Sequence, residues 1–236
     1  MNLKKLAFRS ARDIGLFLKG ARSDARLEKL RQDPLTSATA FDHLYATAPE
    51  NDPWASAVPK YQYQRRKYDA LISLLPERSY REAADLGCGL GLFTERLAPL
   101  VERVVGIDIS SVAISLATAR AHRFGNVQFR QGDITALDAD LNGRFDLVVV
   151  ADAIYYLPPP IQDATLKQIA VRISDLLTPE GVLLLVNHYF GIPNSQTHLT
   201  HRIHRAFQWT PTLTLMAEHR RAFYLATLLC RDDKPI

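Results

Sequence analysis

Cysteine is scarce, with Cys88 and Cys230 the two in 236 residues. Two thiols so far apart write neither a disulfide framework nor a metal-binding spacing, so the chain reads as one made for a reducing compartment. No eighteen apolar residues run together, which argues against a helical membrane span. The N-terminus also lacks the continuous apolar core of a secretory signal, and a cytoplasmic location is the expectation. Neither an internal repeat nor a low-complexity tract is present. Excess charge is nearly missing from the body of the chain. Residues 1–31 hold nine Lys or Arg against Asp13, Asp24 and Glu28, a local +6, so residues 32–236 sum to −2 of the total +4. A body this close to neutral argues against a nucleic-acid partner. What the chain has is 47% hydrophobic residues. That suffices for one substantial α/β domain with a cover, and the length is too short for two ordinary domains.

Three stretches follow. On a helical wheel Leu3, Leu6, Ala7, Ile14, Phe17, Leu18 and Ala21 share one side, mostly opposite Lys4, Lys5, Arg9, Arg12 and Lys19. Residues 1–31 therefore read as a basic amphipathic helix, weakened by Gly15 and Gly20. Packing on its own domain or a second subunit competes with peripheral contact at an anionic membrane surface. Asp33-Pro34 breaks that helix. Residues 32–80 read as a helical cover, with helices over 37–47 and 60–75, the second stopped by Pro76. Over 81–236 strands and helices alternate, the mark of a parallel sheet covered on both faces. Strands are predicted near 82–86, 103–108, 127–130, 145–151 and 181–187, and helices near 91–100, 111–123 and 161–177. No full helix fits between the third and fourth strands. After Phe190 a polar, histidine-rich insert runs to Pro211, and two strands near 212–219 and 222–230 close the chain as an antiparallel pair.

The densest signal is Asp85-Leu86-Gly87-Cys88-Gly89-Leu90-Gly91, a strand end, a glycine turn and a helix start. Such glycines leave bare backbone for a nucleotide-like ligand, yet the pattern alone also serves dinucleotides and phosphates. Asp108 ends the next strand 17 residues past Gly91, where a ribose diol needs an acceptor. A dinucleotide site wants a different glycine spacing, and Asp85 would repel a pyrophosphate. An acidic residue there suits a ligand bearing an ammonium and a sulfonium. At this point the chain resembles the class I S-adenosylmethionine-dependent methyltransferases, whose first motif is an acidic residue, any residue, then Gly-x-Gly-x-Gly.

The resemblance implies a Rossmann-like α/β fold: a mostly parallel seven-stranded sheet with helices on both faces, preceded here by N-terminal helices. It implies S-adenosyl-L-methionine as cofactor and S-adenosyl-L-homocysteine as product, with no metal. Carried onto this sequence, Gly87, Gly89 and Gly91 form the loop beneath the methionine portion, and Asp85 lies near its ammonium directly or through water. Asp108, with Ile109 beside it, takes the ribose; Asp133 and Ile134 take the adenine; Ala151 and Asp152 lie beside the reactive carbon. Asp133 reads equally well as an ordinary turn residue.

Asn51-Asp52-Pro53-Trp54, Tyr61, Arg65-Arg66-Lys67-Tyr68 and Ala153-Ile154-Tyr155-Tyr156-Leu157 further resemble the nodulation-factor N-methyltransferases (NodS-like), over roughly 41–231. This implies a small-molecule acceptor, an amino sugar or oligosaccharide amine. An amine must be neutral to attack, so a proton acceptor is sought. His188, at the end of the fifth strand, is the first candidate, with a structural histidine of equal standing, and Tyr155 is the second, for which core or cofactor-wall packing is the stronger reading. Trp54, Tyr61, Asp152 and Tyr156 are candidates for acceptor contact, the aromatics by stacking on a sugar face. His198, His201 and His204 recur every third residue, but no carboxylate joins them, and no metal site is expected. Two alternatives stay open: O-methylation of a sugar or secondary metabolite, and a non-catalytic nucleotide-binding partner held at a membrane by residues 1–31.

Overall fold

A computed structural model describes residues 12–31, 37–189 and 194–232. Its frame is a seven-stranded sheet of β1 (Tyr80–Leu86), β2 (Val101–Asp108), β3 (Val127–Gln131), β4 (Phe145–Ala151), β5 (Leu177–Tyr189), β6 (Leu213–Arg221) and β7 (Phe223–Arg231). They lie in the order β3-β2-β1-β4-β5-β7-β6. The first five are parallel, and β7 runs antiparallel between β5 and β6. Residues 83–84 of β1, 147–151 of β4 and 182–186 of β5 are unbroken apolar runs because both faces of the sheet are buried there. Phe145, Val148, Val150, Leu183 and Leu185 pack under one helical layer, while Leu147, Val149, Leu184 and Val186 pack on the other.

Helices α1 (Arg12–Leu30), α2 (Ser37–Thr47) and α3 (Tyr63–Ile72) form the cover; α4 (Thr94–Leu97), α5 (Ser111–Arg120), α6 (Asp163–Leu176) and α7 (Ser195–Gln208) flank the sheet. The crossover between β3 and β4 holds a 3₁₀ turn over 139–141, as the short link required. Three expectations shift. The helix expected over 91–100 shrinks to α4, since Gly91 at φ +71° and Pro99 bracket it. β5 begins at Leu177, four residues before the expected start at 181, and a register shift takes up the extra length: Phe145 of β4 pairs with Leu177 and Leu147 with Val182. The polar insert after Phe190 is helical: Asn194 caps α7 by accepting from Thr197 N–H at 2.7 Å, and Ile203 and Phe207 anchor it in the core.

The helix expected over residues 1–31 is seen from Arg12 to Leu30; residues 1–11 and the Asp33-Pro34 break lie outside the described residues. Its inward face overlaps the wheel's stripe only in part: Phe17 packs on Tyr63 and Phe223, but other positions differ. Asp13, Leu16 and Leu27 are buried against the cover, whereas Leu18 is 57% exposed and Ala21 is exposed. Asp13 Oδ1 accepts from the Gln62 and Tyr63 amides, at 3.0 and 3.3 Å, and Oδ2 pairs with Arg66 at 2.7 Å. It thereby caps α3, which has no cap of its own. Asp42 of α2 does the same for α5, accepting from Ser110 Oγ, Ser111 Oγ and Val112 N–H. Burial opposes ionisation of Asp42, but these donors win and hold its carboxyl below the usual range. Among the described residues no helix is long and apolar enough to cross a membrane.

Candidate functional site

A cavity of about 680 Å³ opens at the carboxyl ends of β1, β2, β4 and β5, roofed by α1 and the 3₁₀ turn at Ile154–Tyr156. Position and size match a ligand site of an open α/β sheet. Gly87 and Gly89 line it with φ of +75° and +52°. A Cβ at Gly87 would meet the Ala153 methyl at 2.4 Å, and one at Gly89 would meet the Tyr45 hydroxyl at 2.7 Å. Both positions need glycine for conformation and for space. Asp108, from the tip of β2, accepts from Gly89 N–H at 2.8 Å and from Ser110 N–H at 2.9 Å. Burial pushes its carboxyl up against those two amides. Ile109, Asp133, Ile134 and Ala151 line the same cavity, and Asp133 also accepts from Thr135 N–H at 2.8 Å. Bare glycine backbone, a carboxylate at the second strand tip and apolar Ile109 and Ile134 suit an adenosine-containing ligand.

At the other end stand Asp152, Tyr155, Tyr156 and His188. Asp152 follows β4 in left-handed backbone, φ +56°, and its carboxylate pairs with the buried Lys67 ammonium of α3. Burial opposes ionisation of Asp152, but Lys67 and then His188 overcome it and hold the carboxyl below its usual range. Its Oδ1 is buried with no hydrogen-bond partner among the described residues. His188 Nε2 lies 3.9 Å from Asp152 Oδ2, while Nδ1 lies 3.0 Å from the Tyr155 hydroxyl. Burial, opposed by Asp152, lowers the His188 pKa, so the ring is neutral near pH 7. Burial also pushes Tyr155 well up, keeping it a phenol. Tyr156 donates to Asp24 of α1 at 2.8 Å, and Trp54 Nε1 donates to the same oxygen at 3.0 Å. Phe17, Tyr63 and Phe223 form an aromatic wall with ring centres 5.0 to 6.1 Å apart.

The sequence-selected residues thus gather in one cavity, with three exceptions. Asp85 is 2% exposed and lies behind the wall, accepting from Thr94 Oγ1 at 2.6 Å. Burial raises its pKa to about 6 in spite of that bond. Gly91 also stands off the cavity, at φ +71°, and needs glycine for packing, since a Cβ there would meet the Phe129 ring at 2.6 Å. Tyr61 packs inside the cover against Leu16 and Ala55. Sequence reasoning missed Lys67 and Asp24. Lys67 sits in the expected Arg-Arg-Lys-Tyr run, where its burial has no sequence signal. His204 turns into the core, bonding Thr227 at 2.7 Å, and burial lowers its pKa to about 3.

Residues 83–181 match the model of a methyltransferase-domain family. Trans-aconitate 2-methyltransferase of Deinococcus radiodurans is 34% identical over 133 residues, 56% of this chain and 46% of that protein. Nodulation protein S of Bradyrhizobium diazoefficiens is 29% identical over 136 residues, 57% of this chain and 61% of that protein. The chain spans less than two thirds of the length of either relative. In three dimensions it is similar to the N-methyltransferase NodS from Bradyrhizobium japonicum WM9 in complex with S-adenosyl-l-homocysteine. The TM-score is 0.66 at 22% identity, over 82% of this chain and 97% of that one. The fold is that of the class I S-adenosylmethionine-dependent methyltransferases, and the matched segment, residues 83–181, is similar to their methyltransferase domain. Within that fold class the chain is similar to nodulation protein S in sequence and to NodS in three dimensions.

Proposed function

We propose that this chain transfers the methyl group of S-adenosylmethionine to the nitrogen of a small amine, an amino sugar or an oligosaccharide carrying one. One observation carries the reading: the glycine and Asp108 cradle shares its cavity with Asp152, Tyr155 and His188. When bound, the cofactor supplies an electrophilic methyl carbon. Gly87 and Gly89 would run beneath its methionine portion, Asp108 would accept from the ribose hydroxyls, and Asp133 and Ile134 would hold the adenine.

The remaining chemistry is alignment and one proton. With Nδ1–H donated to Tyr155, His188 keeps its Nε2 lone pair to take the proton that the amine sheds on methylation. Asp152, 3.9 Å away, favours the imidazolium so formed. Asp152 Oδ1 would accept an N–H of the acceptor and turn its lone pair toward the methyl carbon. The wall of Phe17, Tyr63 and Phe223 supports stacking on the apolar face of a sugar ring.

The test is a mass-shift screen with a deuterated methyl donor against amino sugars, simple amines and their hydroxyl counterparts. Transfer confined to hydroxyl compounds would contradict the nitrogen assignment. His188→Asn should lower kcat by about a hundredfold while leaving affinity for S-adenosylhomocysteine unchanged.

A further inference from the structure

A second cavity, of about 420 Å³, lies on the far side of Tyr68 and Leu92 from the first. Arg65 of α3, Arg96 of α4, Arg120 at the end of α5 and Arg123 just beyond line it, with Glu95 the lining carboxylate. Glu95 braces two of these guanidinium groups, Arg120 at 2.7 Å and Arg123 at 3.1 Å. Arg96 pairs with Asp69 at 3.0 Å and lies over the Tyr68 ring. Asp52 acts on Arg120 from behind the Ser56–Ala57 turn. Three carboxylates thus face four guanidinium groups. Arg65, exposed at the rim, has no ion-pair or hydrogen-bond partner among the described residues.

Converging like charges around a small hollow are relieved by an anion. One planar fork satisfies a carboxylate, whereas guanidinium groups arriving from three helices suit a group with three outward oxygens. We propose that this cavity binds a phosphate group, with Arg65 and Arg123 as its main donors. The site stands apart from the residues assigned to methyl transfer, and it does not depend on which nitrogen is methylated. Ser56, Tyr68 and Leu92 wall both cavities. The phosphate therefore belongs either to free anion or to a phosphorylated acceptor reaching across that wall.

Calorimetric titration of the full chain with inorganic phosphate, glucosamine and glucosamine 6-phosphate, at low salt, separates these sources. Saturable phosphate binding is expected, retained when S-adenosylhomocysteine is bound. Arg65→Ala should weaken it about tenfold, and Arg65→Lys should recover part of the loss. Glucosamine 6-phosphate binding about tenfold tighter than phosphate supports the site as part of the acceptor's; equal affinities support it as one for free anion. Absence of saturable binding, or indifference to both Arg65→Ala and Arg123→Ala, overturns the proposal. So does displacement of phosphate by S-adenosylhomocysteine, which would make the cavity the carboxylate end of the cofactor site. An unchanged thermal midpoint checks that the variants fold.

Discussion

Lys67 on α3 and Asp152 beyond β4, 85 residues apart, meet as an ion pair at the Tyr155 and His188 end of the cavity. The Lys67 side chain is wholly buried, so removing it leaves the largely buried Asp152 carboxylate without its cation. Lys67→Met should cost about 3 to 5 kcal/mol of stability, read from urea denaturation. Adding Asp152→Asn should restore part of it, and simple additivity of the two would contradict the coupling. The pH sign is set by the lowered Asp152 pKa. Its stabilisation is full above the unfolded value near 4 and fades as acid carries the solution down through the folded value. Lys67→Met should lose much of that acid dependence.

Asp85 titrates in the opposite sense. Its folded pKa of about 6 lies above the unfolded value. Between roughly pH 4 and 6 the native state therefore holds a proton that the unfolded state has released, and stability falls as pH rises. Asp85→Asn keeps an acceptor for Thr94 and removes the penalty. Above pH 6 it should be more stable than the parent, by at most on the order of 3 kcal/mol. Parallel urea midpoints from pH 4 to 7 in the two proteins would refute this.

The glycine loop offers a contrast within one residue type. Gly87→Ala forces a methyl to 2.4 Å from Ala153 at φ +75°. It should lose more than about 1 kcal/mol of stability and most affinity for S-adenosylhomocysteine. Gly125→Ala, with nothing within 4 Å of its Cβ and no left-handed backbone, should do neither. Calorimetry and thermal melts on the pair decide it.

Asp13→Ala removes the acceptor for two amides of α3 and the partner of Arg66. A loss of about 1 to 2 kcal/mol is expected, with faster proteolysis within residues 12–31. Asp13→Asn keeps the acceptor and should cost less. Equal losses would show that the cap carries none of the effect.

The frame and the gathering of Gly87, Gly89 and Asp108 at one cavity were legible because each depends on local pattern. β1, β2 and β4 have apolar inner stretches that lead into Asp85-Leu86-Gly87, Ile107-Asp108 and Ala151-Asp152, and the strand tips are where the cavity opens. What escaped depends on contacts made across the chain. The inward face of α1 includes Asp13 and Asp24, whose charge hid the stripe from a hydrophobicity wheel, although they recur at helical spacing with Leu16, Gly20 and Leu27. Lys67 looks like a surface lysine until Asp152 is brought against it. The histidines of α7 read as part of a polar insert, yet His204 is held inside by Thr227. Asp85 was assigned to the ligand from its place in the motif, and its buried bond to Thr94 is set by where α4 begins.

The placement of β7 has a consequence for synthesis. β5 carries His188 and gains β4 as a neighbour at once, but its other edge pairs with β7, whose first residue is Phe223. While a ribosome is still adding α7 and β6, the amides and carbonyls of Val182 through Val186 are an open seam of apolar strand in the middle of the future sheet. Nascent chains halted before Phe223 should therefore be the ones that stick to each other or to holding chaperones. The final hairpin closes that seam and seats His188 opposite Tyr224 in the same act.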